Sequence, residues 1–498
     1  MNKIDKKLIG IIVALIVLLF IHSLVKSVDI YYFIFSFSLF LLFVSSLSHI
    51  NIENIIIDKS KKVSSKLFYG VICSIILINA FYIIIINGVV HILNSSNYFS
   101  QLTSILKTMG FTIFVVPILN ILCQYLKINK MSQLSCKVKK IFYLIWVALT
   151  LSLVIIDNIF HVINYSLVIF IYISQLVSFV IILICCFIRI RNKNIFTLNS
   201  QEGFNKLRLK VLLKKIKKIL SNNFVTSLRK MIYLSYYYLS IVIVSYLLLF
   251  NFSYDFQETC FVIVDIYFYN FLFILITIGL IIYFFKDKIA EVINNIKNKE
   301  DDIHIDVFFL KLVKNIIPIT ILMCVLSGPI LRFLFNGDNY SIFMFFVWIL
   351  PFLILYLVSE KFLEVSLKKK MVYLYLCFGI FMKLVLIVPL INAFYRMGYS
   401  FIYGDILSTI IGLFASFIIS IIYFNKKYKI NFTKNFEKLL NIIYDNIVLS
   451  LILIVTSVIV PLIVSTRLQA FYVLLIYIIV YIVFNFVKKI FNNLWRVK

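Results

Sequence analysis

Residues 316–407 read IIPITILMCVLSGPILRFLFNGDNYSIFMFFVWILPFLILYLVSEKFLEVSLKKKMVYLYLCFGIFMKLVLIVPLINAFYRMGYSFIYGDIL. Three apolar runs are followed by the start of a fourth, with short polar breaks between them. A hydrocarbon layer about 30 Å thick is crossed by roughly 20 residues of helix, so each run has the length of one crossing. A segment in hydrocarbon must satisfy its own backbone hydrogen bonds, and for a single run that means a helix. Basic charge alternates as well. FNGDNYS has no Lys or Arg, the next break carries Lys361, Lys368, Lys369 and Lys370, and NAFYRMGYS carries Arg396 alone.

The same alternation extends to both ends of the chain. Hydrophobic residues make up 63% of the 498 positions and charged residues 14%, against about half and a quarter in soluble domains. Gly (12) and Pro (6) are too few for a disordered or turn-rich β chain. Spans are expected near 8–26, 30–48, 67–93, 109–126, 141–159, 165–187, 231–250, 261–285, 310–334, 342–360, 371–391, 401–424, 447–465 and 470–487. The fold class is therefore an all-α integral membrane protein with about fourteen transmembrane helices.

With the N-terminus inside, all 49 Lys and Arg but Lys26, Lys107, Arg332, Lys383, Arg396 and Arg467 fall in inside segments. This is the positive-inside pattern. It places both termini in the cytoplasm and the chain in the bacterial cytoplasmic membrane, with residues 8–26 kept as a first helix rather than cleaved. The net charge of +28 is then explained by an anionic inner leaflet, and nucleic acid is not an expected partner. The eight cysteines have no metal-ligand spacing, so no metal or cofactor is expected.

Outside loops such as NSSNYFS, SYDFQET and STRLQ are too short to house a catalytic domain. The longest polar stretch is inside, at 188–230. Within it Leu209, Leu212, Leu213, Ile216 and Leu220 share one helical face, with Lys210, Lys214, Lys215, Lys217 and Lys218 around the rest. That pattern predicts a basic amphipathic helix resting on anionic lipid. An internal repeat is suggested by QYLKINKMSQLS after the fourth span and EKFLEVSLKKKMVYL after the tenth, since each leads through a Lys-Met turn into an aromatic-rich helix. The expected organisation is a six-helix bundle at 1–187, a basic linker at 188–230, a second six-helix bundle at 231–424, and a final helix pair with tail at 425–498.

The 316–407 segment resembles polysaccharide-biosynthesis flippases of the multidrug/oligosaccharidyl-lipid/polysaccharide exporter superfamily. The resemblance is carried by Pro318, Gly328-Pro329-Ile330, Leu334-Phe335 with Gly337, Lys383 and Gly398, and by NILCQYLKINKMSQLSCKVKKIF as an N-terminal inside-loop counterpart. Fourteen spans are similar to the branch with stage V sporulation protein B and the lipid II flippases. His22, Lys26 and Asp29 stand where that branch carries arginines. The resemblance implies a MATE-like pair of bundles and no enzymatic activity. It also implies a polyprenyl-pyrophosphate-linked saccharide as cargo, a surface polysaccharide unit or cell-wall precursor moved outward by alternating access.

Such a task needs cationic groups for phosphates in a layer that excludes charge, so ionisable residues within spans are the candidates. Lys383, deep in the eleventh span, leads them. Asp265 and Asp405 lie four residues inside the outer ends of their spans and are candidate partners for Lys383, for Arg332 or for a coupling cation. Arg332 marks the outer end of the ninth span, and Lys26 and Asp29 bracket the first outside turn. Glu360, Lys361 and Glu364 form a candidate charge network at an inside helix end, and Tyr236-Tyr237-Tyr238 a candidate stacking or packing cluster. The competing readings are a polyprenyl-dependent membrane glycosyltransferase or polymerase, a cation-coupled multidrug exporter, and a scaffold without transport.

Overall fold

The computed structural model describes residues 27–48, 65–93, 100–128, 132–160, 167–192, 236–298, 305–335, 340–366 and 369–428, with 469, 472, 473 and 475. The spans expected near 8–26 and 447–465, almost all of that near 470–487, and the amphipathic helix of the 188–230 linker lie outside the described residues. Among the described residues there is no strand, and helices account for nearly everything. Two compact units are present, Ser27–Gln257 and a second that contains Glu258–Lys498.

The first unit contains α1 (Ser27–Ser48), α2 (Ser65–Leu93), α3 (Ser100–Gly110), α4 (Val115–Ile128), α5 (Ser132–Phe160), α6 (Leu167–Asn192) and α7 (Tyr236–Asn251). Helix α1 packs on α3, α4 and α6, while α5 pairs with α6. Helix α8 (Phe256–Asn298) starts at the unit boundary. The second unit continues with α9 (Ile305–Val325), α10 (Ser327–Phe335), α11 (Tyr340–Val347), α12 (Ile349–Ser366), α13 (Lys369–Arg396) and α14 (Ile402–Tyr428). Helix α14 packs along α13 and also against α11 and α12, and α8 packs on α11 and α12.

These helices are built for hydrocarbon. In α2 the stretch Val71–Gly88 has a mean hydropathy of 2.3, yet only 22% of it is buried. Leu77 on α2, Leu144 on α5 and Phe284 on α8 are each at least 70% exposed. Water would penalise that much free apolar surface, whereas lipid chains cover it at no cost. Eight described helices are long and apolar enough to cross a membrane, and Tyr236–Asn251 is a shorter apolar helix.

Three of the six prolines explain where rods are interrupted. A proline lacks its N–H and crowds the carbonyl four residues back, which for Pro117, Pro329 and Pro351 is residue 113, 325 and 347. The helix breaks at 111–114, at Leu326 and at Trp348. Tight turns close two of the gaps, through Thr112 N–H to the Met109 carbonyl at 2.8 Å and Trp348 N–H to that of Phe345 at 3.1 Å. The expected span at 109–126 is therefore a broken rod that starts at Ser100, and the ninth and tenth spans are each two pieces. Helix α8 runs to Asn298, well past the expected end at 285. Hydropathy marks where lipid ends, but helical hydrogen bonding continues through KDKIAEVINNIKN into polar surroundings.

The α13–α14 hairpin positions the site. It turns on Gly398, at φ 78°, a left-handed conformation that glycine adopts without strain. Tyr399 N–H bonds the Phe394 carbonyl at 3.0 Å and Gly398 N–H that of Tyr395 at 3.1 Å. The Phe394 and Tyr399 rings meet edge-on at 6.5 Å, completing a Schellman cap. Down α14 a small residue recurs every fourth position, at Gly404, Ser408, Gly412, Ser416 and Ser420, all buried. Small residues on one stripe let helix backbones approach closely. A Cβ on Gly404 would collide with the Ile391 backbone, and one on Gly412 would sit 2.6 Å from the Gly379 carbonyl oxygen. Ser416 Oγ reaches across to the Tyr375 carbonyl at 3.2 Å.

A buried ion pair as the candidate functional site

Lys383 lies fourteen residues from one end of α13 and thirteen from the other, so about 20 Å of helix extends either way. Its side chain does not snorkel. The Nζ lies 3.6 Å from Asp405 Oδ1 on α14, and the two side chains are 1% and 0% exposed. The Tyr267 hydroxyl of α8 donates a hydrogen bond to the other carboxylate oxygen, Oδ2. The Tyr267 ring is fixed edge-on against Phe346 of α11, with centroids 5.1 Å apart. Three helices thus meet at one carboxylate, and a fourth braces the tyrosine. Ser408 and Thr409 turn their hydroxyls back onto the Asp405 carbonyl at 2.7 and 2.9 Å.

Tyr267 reaches Asp405 from an irregular turn. Residues Val262–Phe268 form a π-helical turn, in which Tyr269 N–H bonds the Val264 carbonyl five residues back. The extra residue rotates the faces of the helix on either side of it, and such turns recur at functional sites. Asn270, one turn on, is 1% exposed, donates to the Ile266 carbonyl at 2.5 Å, and leaves its side-chain oxygen buried without a hydrogen-bond partner.

Of the sequence-predicted residues, the structure brings together Lys383 and Asp405. Asp405 is not the hydrated helix end that its position suggests; it is fully buried. Asp265 is half-buried in the π turn, and Arg332 half-buried in the last turn of α10. Asp29 stands in the first turn of α1, in the first unit, and Lys26 lies outside the described residues. At the end of α12, Lys361 and Glu364 pair at 3.8 Å on the surface, while Glu360 is 1% exposed. Tyr238 packs on Phe35 at 5.7 Å and Tyr236 is buried, so this cluster is packing within the first unit. Tyr267 is absent from the sequence-level candidates. One hydroxyl among 31 tyrosines carries no signal by itself, and the charge two residues earlier, Asp265, is the stronger mark in the sequence.

Chemically, the arrangement is an assembly of two opposite charges and a hydroxyl donor in a buried interior. Losing one partner of such a pair leaves an uncompensated buried charge, at a cost of about 3–5 kcal/mol. The pair therefore clamps α13 to α14 and, through Tyr267, to α8.

A helical membrane protein with this course of rods has the fold of known transporters. It superposes on the structure titled lipid II flippase MurJ, inward closed conformation, with a TM-score of 0.60 and 17% identity, covering 96% of each chain. It also matches a multidrug resistance MATE family transporter of the MOP superfamily in an inward-facing conformation, with a TM-score of 0.54 and 13% identity, over 81% of this chain and 90% of that one. No protein-family profile and no curated protein matches the sequence.

Proposed function

We propose that this chain is a flippase. It moves a polyprenyl-pyrophosphate-linked saccharide, either a surface-polysaccharide repeat unit or a cell-wall precursor, from the inner to the outer leaflet by alternating access of its two bundles. The observation that carries the reading is the likeness to a lipid II flippase along 96% of both chains. The shortness of the outside loops, which leaves no room for a catalytic domain, supports a transporter over a glycosyltransferase or polymerase. The basic inside segments support a bacterial cytoplasmic membrane location with both termini in the cytoplasm, and they would rest on anionic lipid. The 1–187, 188–230, 231–424 and 425–498 organisation belongs to the same reading.

Among the six candidate charges, Lys26 and Arg332 have the sign that a pyrophosphate needs. Asp29, Asp265 and Asp405 have the sign that holds a cation. Lys383 has the phosphate-binding sign but is committed to Asp405, so its part in this reading is to position α13 and α14. Depleting the protein in its host should make one lipid-linked saccharide accumulate on the inner leaflet, measured by leaflet-selective labelling and mass spectrometry of the lipids. Unchanged leaflet distributions would overturn the flippase reading. The likeness to a multidrug transporter favours cation-coupled drug export as the second reading, and drug accumulation in depleted cells with normal lipid distributions would select it.

A further inference from the structure

Asp405 offers the anion of a monovalent-cation site: a carboxylate fully buried in the first turn of α14 with a hydroxyl on one oxygen. In this chain that place is already taken. The Lys383 ammonium lies 3.6 Å from Asp405 Oδ1, and the Tyr267 hydroxyl donates to Oδ2. A second, independent feature keeps it there. The hairpin that carries both charges is closed by backbone contact on either side of them. Gly404 abuts Ile391 toward the turn, and Gly412 abuts Gly379 on the other side, with the Gly412 position only 3.3 Å from the Lys383 Cβ. Helices packed that closely move as one body, so the Lys383 and Asp405 backbones keep their spacing and the charges part only by a change of the Lys383 rotamer.

We infer that Lys383 is a tethered cation. It fills, permanently and covalently attached, a site at Asp405 that would otherwise take an exchangeable sodium ion or proton. Under the transporter reading, on which the word coupling rests, transport is then not coupled to either ion at Asp405. Removing the ammonium creates an ion-binding site where the native chain has none. Among the described residues, Lys383 from α13 and Tyr267 from α8 reach the carboxylate, and α8 also carries Asp265 in the turn that holds Tyr267. Helix α12 also packs on α14 and carries Tyr356, the buried Glu360 and the surface pair Lys361–Glu364.

The test is thermal unfolding of the purified full-length protein, with sodium replacing choline at constant ionic strength and, separately, with pH lowered from about 8 to about 5. A ligand that binds only the folded state raises the midpoint by mass action. The wild-type midpoint should move by less than about 2 °C in either series. Lys383→Met should gain about 5 °C or more from sodium, from acid, or from both. Lys383→Met/Asp405→Asn, with neither charge, should fold and be flat again. Lys383→Gln, whose amide can hydrogen-bond the carboxylate, carries the same test if the Met variant does not fold. A flat response from the Lys383 variants overturns the inference, as does a sodium response in the wild type that Asp405→Asn abolishes. The measurement requires no transport. A failed leaflet assay with a positive result here would thus sink the flippase reading and leave the tethered cation standing.

Discussion

The α5–α6 hairpin in the first unit and the α13–α14 hairpin in the second occupy matching places in the expected repeat, and they are fastened by opposite means. In α5–α6 the Thr150 and Ser174 hydroxyls meet at 2.5 Å, and the Trp146 indole donates to the Ile171 carbonyl at 2.9 Å. All of these groups are neutral and cheap to bury once bonded. In α13–α14 an ammonium faces a carboxylate with almost no exposure. Hydroxyl contacts between membrane helices contribute only about 0.6 kcal/mol each, because separated helices find other partners in the bilayer. A buried charge has no such alternative. The first hairpin is therefore held by many small terms, and the second by one that is costly to break.

The largest break in that contrast should come from Asp405→Asn. It keeps the shape of the side chain but leaves the Lys383 ammonium buried beside a neutral amide. A loss of about 3–5 kcal/mol is expected, read as a fall in the unfolding midpoint or in the yield of folded protein. The double variant with Lys383→Met should recover most of it, since a charge-free pair of similar volume has no desolvation to repay. If Asp405→Asn is as stable as wild type, the clamp is not an ion pair in the folded membrane protein.

Much of this was legible in the sequence, for physical reasons that differ by feature. The rods showed themselves because lipid demands long apolar runs, and Lys383 and Asp405 stood out because charge in such runs is costly. Their pairing did not show. Twenty-two positions separate them, and only the close α13–α14 contact at Gly404 and Gly412 lets the long Lys383 side chain reach along the hairpin to the carboxylate. Gly398 stands out in the sequence only by resemblance; its reason, a left-handed cap that sets the hairpin, needs backbone angles. The π turn that delivers Tyr267 has neither glycine nor proline in VIVDIYF to announce it. The helix breaks are the reverse case, since Pro117, Pro329 and Pro351 mark them in the sequence although hydropathy runs straight across.

Gly412→Ala tests the close approach itself and should rank next. The added methyl would sit 2.6 Å from a backbone oxygen, which cannot rotate away as a side chain would. Overpacking of this kind costs about 1–3 kcal/mol. Gly328→Ala, at a glycine with open space around it, serves as the control for a change at glycine alone, and its midpoint should fall less. Equal losses at the two positions would mean that α13 and α14 are not in backbone contact.

The finest comparison removes one hydroxyl from each hairpin's fastening. Tyr267→Phe deletes the donor to a charged carboxylate, and Thr150→Val deletes a hydroxyl that meets another neutral hydroxyl. Hydrogen bonds to charged groups contribute about 1.5–3 kcal/mol, and neutral ones between membrane helices about 0.6 kcal/mol. Tyr267→Phe should therefore lower the midpoint several-fold more than Thr150→Val, although both leave the apolar volume nearly intact. The difference should vanish in the Asp405→Asn background, where Tyr267 faces a neutral amide. If the two single variants behave alike in the native background, Tyr267 is packing beside the pair rather than holding it, and the three-helix convergence on Asp405 reduces to a two-helix one.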